Sequence, residues 1–496
     1  MSLPCLTYHN GQARLLVDDL PFLILGLQWD CDSCFTPQAM NPLFPHAKRM
    51  GANTAALPVY WREIEPEADA FDFTMVDERM SQARRNDLRL VLIWFATWKN
   101  ACAFYAPDYV RENPDTYPPA RDPDGQPLVS LCPLATTTWE RDRDALRALM
   151  THLRDTDTEH TVIMVQVENE PGILGSERCY CEACTVRYVD EGWEERYGAN
   201  AAEAFSAASI AAYIDRLAAD AKQIYPLPLY VNVWLSPEVG GRPGQDYPSG
   251  GAVPEMLDVF RSQLQHTDFV APDIYRSGYR DFHRLCSTYR TTNSALYIAE
   301  HSSGPAGRAE RNVFYALGTH GAIGFDPWAI DSPHPDRFAP PLVDIAGGEW
   351  GPQAYWLRDS YLALGRAMLP IANAQGTDRL FTFAQEAAES GTAWAADDCD
   401  VIVAFHDRED AARGMIIQQD HDEFLLIGTG FSASFRYPRP DGRPRYVKEA
   451  ELGEFDGNCW RMHHPIRRER PESAGAPISL LEPGVVGVRL VTDETT

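Results

Sequence analysis

Basic residues are scarce in this 496-residue chain: 44 Lys and Arg stand against 71 Asp and Glu, a formal charge of -27. A nucleic acid or an anionic membrane surface needs a basic face, so neither is expected as a partner. Long apolar runs are also missing. "LPFLILGLQW" and "TVIMVQV" are far too short to span a bilayer. The start, "MSLPCLTYHN", has no basic region and no long apolar core, so no secretory signal is visible and the cytoplasm is the expected compartment. Eleven cysteines in a reducing compartment are expected to be free, metal-bound or reactive more often than paired. No G-x-S-x-G and no Walker sequence occurs, which removes support for a serine hydrolase or a nucleotide hydrolase. Internal repeats and low-complexity tracts do not stand out.

What is present is an ordinary globular composition, 45% hydrophobic and 23% charged, in a chain long enough for two or three domains. Short apolar runs recur: 21–29, 52–60, 88–96, 161–168, 229–235, 267–275, 295–300 and 321–328. Rich in Val, Ile and Leu without polar alternation, they have the pattern of strands buried on both faces, as in a parallel sheet. Segments between them, such as "TMVDERMSQARRND" and "TWERDRDALRALMTHLRD", place apolar residues three and four apart and predict helices. Eight strand-helix units predict a (β/α)8 TIM barrel over residues 1–369, with a doubly wound open sheet as the competing arrangement. Long loops follow strands 3, 4 and 5. From about residue 370 to 496, short alternating runs such as "DVIVAFH" and "DEFLLIGTG" predict a smaller antiparallel β-domain. "GTGFSA" at 428–433 fits a dinucleotide fingerprint, but "SFRYPRP" follows in place of a helix, so a hairpin turn is expected.

In a barrel, the C-terminal ends of the strands converge on one pocket. Those ends supply Trp61 and Glu65, Trp98 and Asn100, Glu168, Asn169 and Glu170, Asn232 and Trp234 from the first five strands. Asp273 and Tyr275, Glu300 and His301, and Asp326 and Trp328 follow from the last three. Amides and acids bond hydroxyls, and indole faces stack on the C–H side of a pyranose, so the mixture suits a sugar. Glu170 and Glu300 end strands on opposite sides of the mouth, where two carboxylates can flank a glycosidic bond. Tyr275 is placed to hydrogen-bond Glu300, and Asn169 to bond the sugar 2-hydroxyl. The bland alternatives are definite. Glu168 and Glu170 could form a solvated strand end, His301 a loop histidine with a satisfied hydrogen bond, and Asp273 and Asp326 partners of barrel backbone.

"VQVENEPG", with a downstream glutamate ending strand 7, resembles the clan A glycoside hydrolases, and within them the β-galactosidases of families 35 and 42. "VYWREIEPEADAFDF" resembles their strand 2 signature, and "TWKNACAFYAP" the family 35 segment with a sugar-binding Asn, here Asn100. The likeness covers roughly residues 20 to 340. It implies a retaining exo-β-glycosidase in which Glu170 is the acid/base and Glu300 the nucleophile, with a β-linked galactoside or oligosaccharide as substrate and no catalytic cofactor. Glu168 would support Glu170 through the pocket wall or be a plain strand-end acid. One departure matters: family 35 has a glutamate two residues after that Asn, and this chain has Cys102. A β-glucosidase or β-uronidase therefore stays open, as does a catalytically silent carbohydrate-binding barrel. A homo-oligomer is compatible with the sequence.

"CYCEAC" gives Cys179, Cys181 and Cys184 at C-x-C-x-x-C spacing, which can cap a tetrahedral ion if a fourth ligand arrives, and Cys132 is the candidate. Family 42 carries a similar cluster, so the resemblance implies a structural zinc. Free thiols or an adventitious disulfide are the alternative.

Overall fold

The computed structural model describes residues 2–9, 11–292, 294–303, 307–331, 343–344, 349–397, 399–408, 411–438, 441–466 and 476–491. Eight parallel strands form a closed barrel: β1 (Ile24–Gln28), β2 (Thr54–Tyr60), β3 (Arg89–Lys99), β4 (Val162–Asn169), β5 (Leu229–Trp234), β6 (Phe269–Ile274), β7 (Tyr297–Ser302) and β8 (Gly324–Trp328). β8 pairs with β1 through Gly324–Ile24 and Phe325–Leu25, so the sheet has no free edge. Each of the eight apolar runs overlaps one of these eight strands. The open-sheet alternative is excluded.

Helices wrap the outside because their apolar spacing matches a 3.6-residue turn. α1 (Leu43–Arg49) follows β1, and α2 (Thr74–Arg85) buries Val76, Met80 and Ala83 on one face. α3 (Thr136–Thr156) turns Trp139, Leu146, Leu149 and Leu153 inward. α4 (Ala201–Ile224) buries Ala204, Ala207, Ala208, Ala211 and Ala218, small side chains that let neighbouring backbones approach closely. None of the described helices is long and apolar enough to cross a membrane.

Periodicity did not reveal the three-stranded antiparallel sheet Cys5–His9, Gln12–Val17 and Leu20–Phe22. It covers the N-terminal face of the barrel. Gln12 donates to the Gly321 carbonyl just before β8, and Arg89 at the start of β3 pairs with Asp18 at 2.6 Å. The run 21–29 is accordingly two strands, broken at Leu23.

After the barrel, helices Pro352–Gly365 and Met368–Ala374 lead into two stacked antiparallel sheets. The six-stranded sheet contains Arg413–Asp420 and Glu423–Thr429; the four-stranded one contains Asp400–Phe405 and Phe431–Arg436. Two-residue alternation decides which face each side chain takes. Ile416, Phe424 and Leu426 pack between the sheets, whereas Met415, Ile417, Leu425 and Ile427 join the barrel core. Buried Arg413 crosses the junction, donating to Ser360 Oγ at 2.7 Å and to the Trp356 carbonyl at 2.8 Å. "GTGFSA" is not a hairpin turn. Glu423–Thr429 pairs within the six-stranded sheet and Phe431–Arg436 within the four-stranded one, so this segment is the corner between sheets.

Candidate active site

β3 is buried along nearly its whole length and ends in a tight turn. Lys99 N donates to the Cys102 carbonyl at 2.8 Å and Cys102 N returns to Lys99 at 3.1 Å. Between them Asn100 and Ala101 sit at φ 52° and 60°, the twin left-handed conformation of a type I′ turn. Ala at the second position is strained where glycine is usual, and contacts with β4 hold it there. Asn100 N donates to the Asn169 carbonyl at 3.2 Å, and Ala101 N to the Glu170 carbonyl at 3.1 Å. The turn thus aims the Asn100 amide at Glu170 Oε2, to which it donates.

β4 ends with a second distortion. Glu168 and Glu170 have φ of 65° and 44°, so strand alternation fails where the acids lie. Glu168 points out of the pocket, toward the helices. Its carboxyl takes the Trp98 N–H at 2.7 Å and the Thr97 N–H at 3.3 Å and shares a hydrogen bond with Asp142 of α3. Asp142 in turn accepts from Trp94 Nε1 at 2.9 Å and from the hydroxyls of Thr97 at 2.8 Å and Tyr213 at 2.9 Å. Burial pushes both carboxyls up, as expected for an acid pair with one proton between them. Glu168 is neither a solvated strand-end acid nor part of the pocket wall. It fastens the tip of β3.

Glu170, Asp273 and Glu300 converge, and one oxygen from each lies within 4.8 Å of the others. Asn232 on β5 organises them. Its Oδ1 accepts the Glu170 N–H at 2.7 Å, while its Nδ2 donates to Asp273 at 2.8 Å and lies 3.5 Å from Glu300 Oε1. Asn169 Nδ2 donates to Glu300 Oε1 at 3.4 Å, and the Tyr275 hydroxyl to Oε2 at 2.5 Å. Burial, and then the charge on Glu300, push the Glu170 carboxyl up to about 8, against the pull of Lys99 and a hydrogen bond with Asp273. A carboxyl held neutral near one that accepts several hydrogen bonds is an acid beside a base.

The cavity around these groups measures about 500 Å³ and is lined also by Lys99, Asn100, Trp234, Ser236, Arg276 and Trp328. That is within the usual size of a ligand pocket. A cavity of about 580 Å³ lies at the junction with the β-sheets, against Leu369, Asn373, Ile417 and Phe455, and holds no paired carboxylates.

Several expected pocket residues lie elsewhere. Trp61 is buried in the turn of helix after β2 and donates to Glu65 at 2.9 Å; Glu65 also accepts the Asp69 N–H at 2.8 Å and pairs with Arg141. Trp98 is buried against Tyr213, ring centres 4.9 Å apart. These residues stiffen the wall behind the site, because their strands end in helix or kink before the side chain can turn inward. Asp326 is buried and accepts the Tyr297 hydroxyl at 2.7 Å, with no backbone donor among the described residues. His301 is a buried strand residue bonded to Ser302 O at 2.9 Å and to Asn312 at 3.1 Å. Conversely, strand-end reasoning did not single out Lys99 or Arg276, although a lone lysine closing a buried eleven-residue strand was a visible signal.

The four cysteines also come together. Cys132 Sγ lies 3.6 Å from Cys184, 3.7 Å from Cys181 and 3.8 Å from Cys179. Sulfur ligands about 2.3 Å from a tetrahedral ion stand about 3.8 Å apart, so the cluster could hold a metal. The Arg121 N–H points at Cys179 Sγ from 3.4 Å, the kind of outer hydrogen bond a thiolate uses. The cluster joins the loops after β3 and β4. The loop after β5 is tied in by Ile173 and Ser249, which exchange two 2.9 Å backbone bonds. Gly244, at φ +76°, passes so near Ser176 that a Cβ would lie 2.1 Å from its carbonyl oxygen.

Comparison with known proteins bears on this geometry. The glycoside hydrolase family 42 model, described as β-galactosidase, matches residues 38–208. The resemblance seen in the strand 4 motif therefore holds. The matched segment contains Asn100, Asn169, Glu170 and all four clustered cysteines. A domain of unknown function matches residues 357–466. No curated protein matches the chain. Among solved structures, β-galactosidase from Bacillus circulans sp. alkalophilus superposes with TM-score 0.54 at 16% identity, over 71% of this chain and 57% of its own. β-Galactosidase from the psychrophilic Marinomonas ef1 gives 0.53 at 14% identity, over 70% and 60%. The chain thus covers less than two thirds of either. The catalytic domain of β-amylase from Paenibacillus polymyxa gives 0.51 at 12% identity, over 71% and 98%. At these identities the superpositions show a shared barrel fold.

Proposed function

We propose that the protein is a retaining, exo-acting β-glycosidase whose substrate is a β-galactoside. The observation that carries this is the pairing of a carboxyl raised to about 8, Glu170, with Glu300 in one buried pocket. Their nearest oxygens, within 4.8 Å, fit the roughly 5–5.5 Å carboxyl separation of double displacement better than the roughly 6.5–9.5 Å that leaves room for an attacking water.

Glu300 attacks the anomeric carbon as the bond to the aglycone oxygen breaks, and that oxygen takes the Glu170 proton. In the second step Glu170, now ionised, accepts a proton from water. The water oxygen bonds the anomeric carbon, and the ester to Glu300 breaks. Asn169 Oδ1 is buried with no partner among the described residues, which leaves it free to accept from the sugar 2-hydroxyl. Trp328 offers an aromatic face to the ring, and Trp234, 37% exposed at the rim, one to the aglycone. The cysteine cluster holds a structural zinc, because four thiolates leave no open position for catalysis.

The family match over residues 38–208 favours galactose. The test is hydrolysis of nitrophenyl β- and α-glycosides of galactose, glucose, glucuronic acid, fucose and xylose, beside Glu300→Gln. Release from the β-galactoside, abolished by that change, is the expected result. Release only from another sugar transfers the mechanism to a β-glucosidase or β-uronidase, and silence from folded protein favours a binding barrel.

A further inference from the structure

Lys99 is a buried cation in the pocket that finds no acceptor among the described residues. It is 9% exposed and lines the cavity, yet among the described residues its ammonium has no hydrogen bond and no carboxylate within 4.0 Å. The Phe95 ring centre lies 4.9 Å from Nζ. A buried ammonium without an acceptor is costly, and a site that retains one supplies the acceptor with its ligand. The neighbouring thiols do not neutralise it. Burial pushes Cys31 up to about 11 and Cys102 above its ordinary value, so both are uncharged near neutrality.

The position of Lys99 indicates which part of a ligand it meets. The anomeric carbon must lie between Glu170 on the β4 side and Glu300 on β7. Trp234, which ends β5, and Ser236 and Arg276, after β5 and β6, line the cavity where the glycosidase reading puts the aglycone. Lys99 enters from β3 and shares its surroundings with Cys31 after β1, across the mouth from that aglycone wall. A pyranose held by Glu170 and Glu300 therefore presents its C3, C4 and C6 substituents to Lys99.

Resting on the glycosidase reading above, we propose that Lys99 is a specificity-determining residue that donates a charged hydrogen bond to a ring hydroxyl remote from the anomeric carbon, selecting neutral hexopyranosides over uronides. Glu170, Asp273 and Glu300 already share the pocket, and a uronate would add a fourth acid where Lys99 and Arg276 are the cations lining the cavity. A neutral hydroxyl instead fills the gap of more than 4.0 Å between the ammonium and the carboxylates, accepting from Nζ while donating onward.

The test measures kcat/KM of wild type, Lys99→Met and Lys99→Arg on the nitrophenyl β-glycoside best cleaved in the panel and on its 3-, 4- and 6-deoxy analogues. Lys99→Met should lose about 10- to 100-fold on the parent sugar, the loss expected of a charged hydrogen bond. Wild type should lose about as much on one deoxy analogue, and on that analogue the substitution should add less than about threefold. Lys99→Arg should recover part of the loss. An equal loss on parent and every deoxy analogue would overturn the proposal by making Lys99 purely electrostatic or structural. So would faster cleavage of the galactosiduronide by wild type. If Lys99→Met does not fold, the wild-type series still decides: no deoxy analogue losing about tenfold contradicts the assignment. Wild type that cleaves no glycoside at all is a different outcome, the failure of the glycosidase reading itself.

Discussion

The Tyr275 hydroxyl donates a 2.5 Å hydrogen bond to Glu300 Oε2 from the strand next to the one that carries Glu300. Burial and the charge of Glu300 hold the phenol well above its ordinary range, so it stays a donor at any working pH. The contact fixes the direction of the Glu300 carboxylate. Tyr275→Phe should lower kcat/KM about 10- to 100-fold, the loss expected for a hydrogen bond to a charged group. Steady-state kinetics beside circular dichroism checks this; an unchanged rate in folded protein would contradict it.

The raised Glu170 carboxyl predicts both a rate profile and a stability profile. On the proposed role of Glu170 as the acid, kcat/KM should fall as pH rises through about 8, and Glu170→Gln should abolish that alkaline limb. The ordinary value is 4.5, so between 4.5 and about 8 the folded state holds a proton that the unfolded chain releases. This contribution to stability is complete below 4.5 and is lost as pH rises through about 8. Urea unfolding at pH 5 and pH 9 should therefore show wild type losing more stability than Glu170→Gln.

Chelation should separate structure from chemistry at the cysteine cluster. We expect about one zinc per chain by elemental analysis, in keeping with a four-thiolate site. Removing it should lower the melting temperature and loosen the loops after β3 and β4 to proteolysis, with kcat unchanged in molecules still folded. Prompt, reversible loss of turnover with folding intact would contradict a structural role.

The acid pair behind the site is a further point of stress. Asp142→Ala leaves Trp94 Nε1 and the Thr97 hydroxyl without their Asp142 acceptor and deprives Glu168 of its partner. A loss of about 2–4 kcal/mol is expected, in the range for breaking a buried network. Because Glu168 holds the tip of β3, kcat should fall as well, through displacement of Asn100. Differential scanning calorimetry and kinetics on the same sample test both.

The barrel was legible because each strand is an uninterrupted apolar run, and the stacked sheets because two-residue alternation is plain in segments such as "DEFLLIGTG". The N-terminal sheet was hidden: Gln12–Val17 carries Gln12 and Arg14 among its apolar residues, and Leu20–Phe22 is only three residues long. Within the site, position along the chain located Asn169, Glu170, Asn232, Tyr275 and Glu300, since strand ends must meet at the barrel mouth. Side-chain direction was another matter. Trp61, Glu65 and Trp98 occupy strand ends too, but a turn of helix after β2 and the kinked tips of β3 and β4 send them behind the pocket. The same left-handed residues turn Glu168 outward and Glu170 inward two positions apart, and no alternation rule on a regular strand predicts that.

The most direct measurement is mass spectrometry of the protein inactivated with dinitrophenyl 2-deoxy-2-fluoro-β-galactoside, whose fluorine slows release of the sugar from the enzyme. The account predicts one fluorogalactosyl group per chain, on the peptide containing Glu300 and bonded to its carboxylate. No adduct on a protein that turns over β-galactosides, or an adduct on Glu170 or Asp273, would contradict double displacement through Glu300.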